Sequence, residues 1–273
     1  EKIKNSKEPF EVKIDSSHKK RSMTYGEYLI KGSSRKEILI SSYICHPSMA
    51  NDSLSGFLLS SILASKLRKT KTKWSYRFIF VPETIGAIAY CNLNENKLKQ
   101  IDNALVITTV GGPGNFGYKK SWNAEDKIND AIEEVFKENK VKFITYPFDV
   151  KGSDERQYSS IGFRINSASI TKDKYYEYKE YHTSKDDLKF VNSENINETL
   201  NLYLKLIKKI EKWVIYKSKN PYCEPMLSKR NLYSKIGGSY NGKQNSLDLI
   251  SWILFLSDGK ITTKQISNKL KVS

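Results

Sequence analysis

The sequence contains few cysteines and no long apolar run. Its three cysteines, Cys45, Cys91 and Cys223, are widely spaced and odd in number. This pattern excludes a disulfide framework and predicts a reducing, cytoplasmic setting. The longest apolar runs, "ILISSYI" and "RFIFVP", are far shorter than the roughly 20 residues that a membrane span requires. With a hydrophobic content of 38%, the chain is expected to be a globular protein that does not interact with a membrane.

The sequence also lacks an arginine-rich or aromatic-interleaved basic segment. The formal net charge of +16 comes mostly from lysines scattered along the chain. The densest basic run, residues 66–74, is typical of the solvated end of a helix and the loop after it. A basic chain attracts acidic surfaces. Without a nucleic-acid motif, however, we expect no specific binding to nucleic acid.

Apolar segments of two kinds alternate through most of the chain. Continuous apolar runs predict buried strands, and apolar residues at helical spacing predict helices between them. This order is typical of an α/β fold with a doubly wound, mostly parallel sheet. Ser193 is the predicted cap of a long closing helix. The predicted strands cover 37–44, 75–82, 103–110 and 165–171, and the predicted helices cover 53–68, 85–92, 124–139 and 193–216. Alternation in residues 10–31 predicts a β-hairpin.

The character of the sequence changes after Lys217. Residues 218–225 form a turn-rich linker with two prolines, and residues 237–245 are rich in glycine and asparagine. Two helices joined by the "SDGK" turn follow, the second beginning after Thr262 or Thr263. This is the start of a helix-turn-helix or winged-helix unit. The first residue is Glu1 and not a methionine, and the chain stops before a third helix or a wing. We therefore expect this chain to be part of a longer one.

Polar residues follow the predicted strands at the places where open α/β sheets bind ligands. His46 and Asp52 follow the first buried strand, Glu83 follows the second, Asp154 lies in "KGSDERQY" and His182 in "EYHTSKDD". Imidazole and carboxylate ligands without thiolates suit a hydrolytic zinc ion. Each residue also has a plainer interpretation: the histidines as hydrogen-bonded surface or core groups, the aspartates as caps or Asx turns, and Glu83 as a turn residue. His18 has no comparable context and is interpreted as a surface residue.

Four motifs in this order carry a resemblance that covers residues 10–273: "CHPSMANDSLSG", "FVPETIGAIAY", "GSDERQY" and "EYHTSKDD". They resemble the bacterial aminopeptidase-like family of polysaccharide biosynthesis proteins, which is similar to the co-catalytic zinc aminopeptidases. The resemblance implies a zinc exopeptidase type of fold. It also implies that an inserted β-rich domain has left residues 1–32 as its hairpin remnant, that residues 33–218 form the aminopeptidase-like domain, and that residues 219–273 form a partial winged-helix-like module.

The resemblance also implies roles for individual residues. His46, Asp52 and Asp154 match one zinc site, and Asp52 would bridge to a second metal ion that His182 also binds. Glu83 matches the general base. Thr84 stands where the zinc aminopeptidases have a second glutamate, and a neutral hydroxyl is a poor zinc ligand. Either one zinc ion is bound, or Glu83 turns towards the metal and is no longer a free base; we expect one tightly bound zinc ion. Glu180 and Asp186 are predicted to orient His182.

These residues predict a zinc-dependent hydrolase of amide bonds, with a peptide or small amide as substrate. The resemblance implies a place in cell-surface polysaccharide biosynthesis. The alternative is a non-catalytic or weakly active metal-site protein that binds a peptide or amino sugar and carries a regulatory winged-helix module. Thr84 and the helix-turn-helix start favour the alternative, whereas Glu83 favours the enzyme. The sequence leaves open whether the chain forms a homo-oligomer.

Overall fold

A computed structural model describes residues 3–44, 46–230 and 246–272. Cys45 and the predicted Gly/Asn-rich loop at 237–245 lie outside these residues. Seven strands form one sheet with the order β1-β3-β2-β4-β7-β5-β6. Strands β3, β2, β4 and β7 are parallel, β1 and β5 pair antiparallel with their neighbours β3 and β7, and β6 is parallel to β5. The strands are β1 (Gly26–Ile30), β2 (Glu37–Tyr43), β3 (Ser75–Val81), β4 (Asn103–Val106), β5 (Phe116–Lys119), β6 (Phe143–Tyr146) and β7 (Asn166–Thr171).

Helices cover both faces of the sheet. The helices are α1 (Gly56–Leu67), α2 (Ile85–Leu93), α3 (Glu95–Leu98), α4 (Lys127–Glu138), α5 (Glu155–Tyr158), α6 (Ser193–Glu211), α7 (Ser246–Leu256) and α8 (Thr263–Leu270). Helices α1, α4 and α6 contribute to the core on one face. Helices α2, α3 and α5 contribute to the core on the other face. None of the described helices has the length and apolar character needed to cross a membrane.

Strand β2 shows why the apolar runs predicted this architecture. Successive side chains of a strand point to opposite faces of the sheet. Ile38 and Ile40 accordingly pack in the core with α1, while Leu39 packs in the core with α2. A strand buried on both faces needs a continuous apolar run, and the sequence of β2 supplies one. The prediction of a doubly wound, mostly parallel sheet is confirmed. Strands β5 and β6, at one edge of the sheet, were not predicted.

The predicted hairpin at residues 10–31 is wrong. Only β1 forms a strand in this segment, and it pairs with β3 at the edge of the main sheet. Residues 3–25 contain no strand, and Phe10, Val12 and Ile14 are more than half exposed. A two-stranded ribbon is marginal unless one face packs against something. The alternating apolar residues find no such surface here.

Helix boundaries differ from the predictions by a few residues. A turn with π-helical hydrogen bonds at 50–55 precedes α1, so the helix begins later than predicted. Asn192, not Ser193, caps α6 by accepting a hydrogen bond from the backbone N–H of Asn195 at 2.8 Å. Helix α8 begins directly after Thr262, as predicted, and Thr262 caps it through a capping box with Gln265. Gln265 also donates to Asp130 of α4 at 2.9 Å, which places α8 against the main sheet's helical layer.

Candidate metal centre

The carboxyl ends of the parallel strands bring the predicted polar residues to one edge of the sheet. His46 follows β2, Glu83 follows β3, and His182 lies in the segment between β7 and α6. Asp52 lies in the tight turn that leads into α1. Gly56 begins that helix, and a Cβ at this position would lie 2.3 Å from the carbonyl oxygen of Ile107. Glycine therefore allows the start of α1 to pack directly against the chain that leaves β4.

His46, Asp52 and His182 form the one group of potential metal ligands found among the described residues. One ligand atom from each lies within 4.8 Å of the others. Oδ2 of Asp52 is 3.1 Å from Nε2 of His182 and 3.8 Å from Nδ1 of His46. The two imidazole rings have centroids 4.7 Å apart. Two imidazoles and one carboxylate are a donor set that suits zinc and similar divalent metals.

This grouping differs from the one that the resemblance implies. His46 and His182 both lie next to Asp52, whereas the resemblance assigns the two histidines to different metal ions with Asp52 between them. Asp154 is not a member of the group as the structure describes it. Both histidines approach the same oxygen of Asp52.

The other oxygen of Asp52 is held inside the protein. The phenol of Tyr43, at the end of β2, donates to Oδ1 of Asp52 at 2.9 Å, and Thr108 donates to the Tyr43 oxygen at 2.8 Å. Asp52 is 1% exposed and Tyr43 is 2% exposed. The hydrogen-bond chain fixes the rotation of the carboxylate, so that Oδ2 faces the two imidazoles.

Asp186 holds the backbone of the same turn. Its carboxylate accepts hydrogen bonds from the backbone N–H of Asn51 at 2.6 Å and of Asp52 at 3.0 Å, and from the phenol of Tyr178 at 3.0 Å. Asp186 was predicted to orient His182. It is fully buried and orients the turn that carries Asp52 instead.

Glu180 also differs from its predicted role. Its backbone carbonyl accepts hydrogen bonds from Thr183, and its carboxylate raises the pKa of Asp173. No contact between the Glu180 carboxylate and His182 is found in the described structure. The ring of Tyr181 instead stacks on the imidazole of His182, with centroids 3.9 Å apart.

Two hydrogen bonds of opposite direction connect residues 83–84 with residues 153–154. Ser153 Oγ donates to Oε1 of Glu83 at 2.6 Å, and the backbone N–H of Thr84 donates to Oδ1 of Asp154 at 2.8 Å. Thr84 has a backbone φ of 59°, in the left-handed region that residues other than glycine rarely adopt. Strained backbone of this kind is common at functional sites. The pair of hydrogen bonds ties Glu83 to the loop that carries Asp154.

Asp154 is a buried carboxyl with an unsatisfied oxygen. The residue is 0% exposed, and its Oδ2 has no hydrogen-bond partner in the described structure. The pKa of this carboxyl is raised to about 8, mainly by burial and also by the carboxylates of Glu83 and Glu155, while the hydrogen bond from Thr84 lowers it. Asp154 occupies the first position before α5 but makes no capping hydrogen bond there. The interpretation as a helix cap does not hold for this residue.

The electrostatics of the site fit a bound cation. Burial raises the pKa of Asp52, and Glu83 raises it further, while Tyr43 and the two imidazoles lower it. The charge of Glu83 therefore raises the pKa of Asp52 as well as that of Asp154. Desolvated carboxyls that repel one another are stabilised as carboxylates by a nearby metal ion. These pKa shifts and the Asp154 oxygen that lacks a hydrogen-bond partner fit a metal site. Its ligands would be His46, Asp52 and His182, with Glu83 and Asp154 beside them.

A cleft of about 390 Å³ opens beside His46. The described residues of its walls are mainly apolar and include Ile44, Met49, Ala50, Leu54, Phe57 and Leu188. Ile44, Leu54 and Leu188 are at least half exposed. The acidic residue on the rim, Asp187, accepts hydrogen bonds from the backbone N–H groups of Lys189 and Phe190. The cleft is therefore suited to an apolar group placed next to the metal ligands.

Sequence reasoning missed four residues that shape the site: Tyr43, Thr108, Ser153 and Tyr178. Tyr43 carried a weak signal, since a tyrosine at the end of a buried strand needs a partner for its hydroxyl. Ser153 lies inside the motif that contains Asp154. Thr108 and Tyr178 gave no local signal. His18 is exposed, as predicted.

Comparison with known proteins agrees with this fold. Residues 2–213 match the family model described as a domain of unknown function, DUF4910, and residues 214–273 match a winged helix-turn-helix model. The chain belongs to the DUF4910 family. It is 42% identical over 260 residues to a protein from Clostridium acetobutylicum, whose name describes polysaccharide biosynthesis and an aminopeptidase-like domain. The match covers 95% of this chain and 59% of that protein, so the chain spans about three fifths of its relative. The resemblance drawn from the four motifs is confirmed.

Solved structures extend the comparison. A structure described as a peptidase from Clostridium acetobutylicum has a TM-score of 0.70 and 39% identity, covering 91% of this chain and 55% of that one. A zinc aminopeptidase from Bacillus subtilis has a TM-score of 0.57 and 15% identity, covering 67% of this chain and 49% of that one. The second likeness shows that this DUF4910 chain shares the fold of the zinc aminopeptidases, as predicted.

Proposed function

We propose that this protein is a zinc-dependent hydrolase of amide bonds with aminopeptidase-like specificity. The observation that carries the proposal is the convergence of His46, Asp52 and His182 within 4.8 Å, beside the Glu83 carboxylate. The names of the related aminopeptidase-like protein and of the peptidase structure support the same class of reaction. The relative's name further supports a substrate from polysaccharide biosynthesis, such as an amide on an amino sugar or its peptide.

His46, Asp52 and His182 would hold the zinc ion, with Asp154 at the edge of the site. Zinc bound here supplies Lewis acidity, which polarises a carbonyl oxygen and lowers the pKa of water. Glu83 accepts a proton from the attacking water, and the water oxygen bonds to the amide carbon. The C–N bond then breaks, and Glu83 returns the proton to the leaving amine. Water and amide thereby become a carboxylic acid and an amine.

We further propose one zinc ion per chain. Thr84 offers no carboxylate, and Tyr43 occupies the oxygen of Asp52 that a second ion would need. Metal analysis after dialysis against a mild chelator tests this. One retained zinc ion per chain is expected, and two retained ions would contradict the proposal.

The apolar cleft beside His46 supports an amide whose acyl side chain is apolar. The zinc-loaded protein is expected to hydrolyse leucinamide and phenylalaninamide faster than the amides of glutamate or lysine. Leu188→Asp should raise KM for leucinamide at unchanged zinc content. Leu93→Asp is the matched control, because Leu93 is 67% exposed and lies outside the cleft. Failure to hydrolyse any amide at full zinc loading would contradict the enzyme and favour the alternative, a protein that binds a peptide or amino sugar.

A further inference from the structure

Ser153 connects the candidate general base to a rigid, buried support. Its hydroxyl donates to Oε1 of Glu83 at 2.6 Å, although the two residues are 70 positions apart in the chain. Ser153 is 3% exposed, so its hydroxyl is not competing with bulk water for this contact. A hydrogen bond to one carboxylate oxygen limits rotation about the end of the glutamate side chain. Charge-assisted hydrogen bonds of this type are among the stronger ones in proteins.

Glu155 fixes the backbone of Ser153. Both oxygens of the Glu155 carboxylate lie 3.1 Å from the backbone nitrogen of Ser153. The Nζ of Lys119 lies 3.1 Å from Glu155, and both side chains of this ion pair are 3% exposed or less. Lys119 also reaches Asp149 at 2.9 Å. A buried ion pair with further hydrogen bonds is costly to break, so it holds the serine in one position.

Gly152 makes this close packing possible. A Cβ at this position would lie 2.0 Å from Oε1 of Glu155 and 2.6 Å from Nζ of Lys119. Any other residue would have to displace the ion pair. The loop of Gly152, Ser153 and Asp154 is therefore built around the Lys119–Glu155 pair, and it presents a hydroxyl to Glu83 at its next residue.

We infer that Ser153 is a positioning residue for Glu83, supported by the Lys119–Glu155 ion pair. This inference rests on the proposed function for its effect on turnover, but the contact itself does not. The Ser153 hydroxyl holds Glu83 in the orientation in which it accepts and returns a proton. Removing the hydroxyl is expected to impair the proton transfers while leaving the metal ligands in place.

The first test is Ser153→Ala in the zinc-loaded protein. We expect a fall in kcat of about 10–100-fold, as is usual when a supporting hydrogen bond at a metal site is removed. KM and zinc content should stay within about twofold of wild type. Ser153→Thr keeps the hydroxyl and should restore most of the activity. If the added methyl of Ser153→Thr prevents folding, Ser153→Cys is measured in its place. The thiol is a weak hydrogen-bond donor, so the kcat of Ser153→Cys should stay near that of Ser153→Ala.

Ser159→Ala is the matched control. Ser159 is also buried, lies directly after α5 and donates to the backbone carbonyl of Ile165 at 2.8 Å. Its loss should leave kcat unchanged. A wild-type kcat in Ser153→Ala, or a loss of activity that only follows a loss of zinc, would overturn the inference.

A second measurement separates this inference from the proposed function. Urea unfolding of the metal-free Ser153→Ala, Glu83→Ala and double variants forms a double-mutant cycle. We expect the shift of the unfolding midpoint in the double variant to differ from the sum of the two single shifts, because both substitutions remove the same contact. Additive shifts would overturn the inference even in an active enzyme. Non-additive shifts in a chain that hydrolyses no amide would leave the contact standing and reject the proposed function.

Discussion

The phenol of Tyr43 and the carboxylate of Asp52 share a hydrogen bond of 2.9 Å, and both side chains are almost fully buried. The contact turns Oδ2 of Asp52 towards His46 and His182. It is the supporting contact on which the geometry of the metal ligands most directly depends. Tyr43 itself is held by Thr108, so the orientation of Asp52 is set by the last residue of β2 and by a residue that follows the neighbouring strand β4.

Tyr43→Phe is expected to weaken metal binding and the fold together. The substitution leaves Oδ1 of Asp52 buried without its donor, which costs about 1–3 kcal/mol of unfolding free energy. Zinc affinity should fall by about 10–100-fold, measured by competition with a chromogenic chelator. Tyr203→Phe is the control, because Tyr203 is also buried and its hydroxyl hydrogen-bonds to the backbone of Ile170, away from the metal ligands. If both variants bind zinc as wild type does, the Tyr43 contact does not orient a ligand.

Single substitutions of the ligand group should remove the metal. His46→Ala, Asp52→Ala and His182→Ala each delete one direct ligand, so each should lose most of the bound zinc while far-ultraviolet circular dichroism stays native. His18→Ala should retain the metal because His18 is exposed outside the site. Wild-type zinc content in the first three variants would refute the site.

Asp186→Asn should loosen the turn that carries Asp52. Asparagine keeps one acceptor oxygen but places an amide group against donors that Asp186 now accepts from, the N–H groups of Asn51 and Asp52 and the Tyr178 phenol. We expect a loss of about 1–3 kcal/mol in unfolding free energy, measured with urea, and weaker zinc binding. Asp187→Asn is the control at the neighbouring position. Equal effects in the two variants would show that Asp186 has no special role.

Asp173 should make stability depend on pH. The pKa of its carboxyl is raised to about 6, mainly by burial and also by Glu180 and Asp186, while the Gly114 N–H and Lys172 lower it. An unfolded aspartate has a pKa near 3.9. Between about pH 4 and 6 the folded chain therefore binds more protons than the unfolded chain, and this contribution to stability is present below that range and lost as pH rises through it.

Asp173→Asn should remove this pH dependence and raise the urea midpoint above pH 6. The gain should stay below about 1 kcal/mol, because the side chain is partly exposed and solvent screens its charge. Asparagine can still accept the hydrogen bond from Gly114. Asp15→Asn, at an exposed position, controls for the loss of one negative charge. A midpoint that falls above pH 6 in Asp173→Asn alone would contradict the prediction.

The sequence by itself determined the alternation of the four central parallel strands with helices and the residues at which the sheet offers polar groups. Runs such as Ile38–Leu39–Ile40 specify burial on both faces through local pattern alone. The same local logic places His46 and Glu83 just beyond strand ends. Local pattern failed at residues 10–31, because alternation indicates a strand only where a neighbouring surface can cover one of its faces.

Only the tertiary structure decided which of these polar groups meet, and how. Asp52 and His182 are 130 residues apart, and Ser153 and Glu83 are 70 apart, so no periodicity connects them. Their contacts depend on the path of the crossover connections and on side-chain rotations, which are set by packing around each carboxylate. For the same reason the sequence placed Asp186 near the site but assigned it to His182. In the folded chain the buried carboxylate of Asp186 accepts hydrogen bonds from the backbone N–H groups of Asn51 and Asp52 instead.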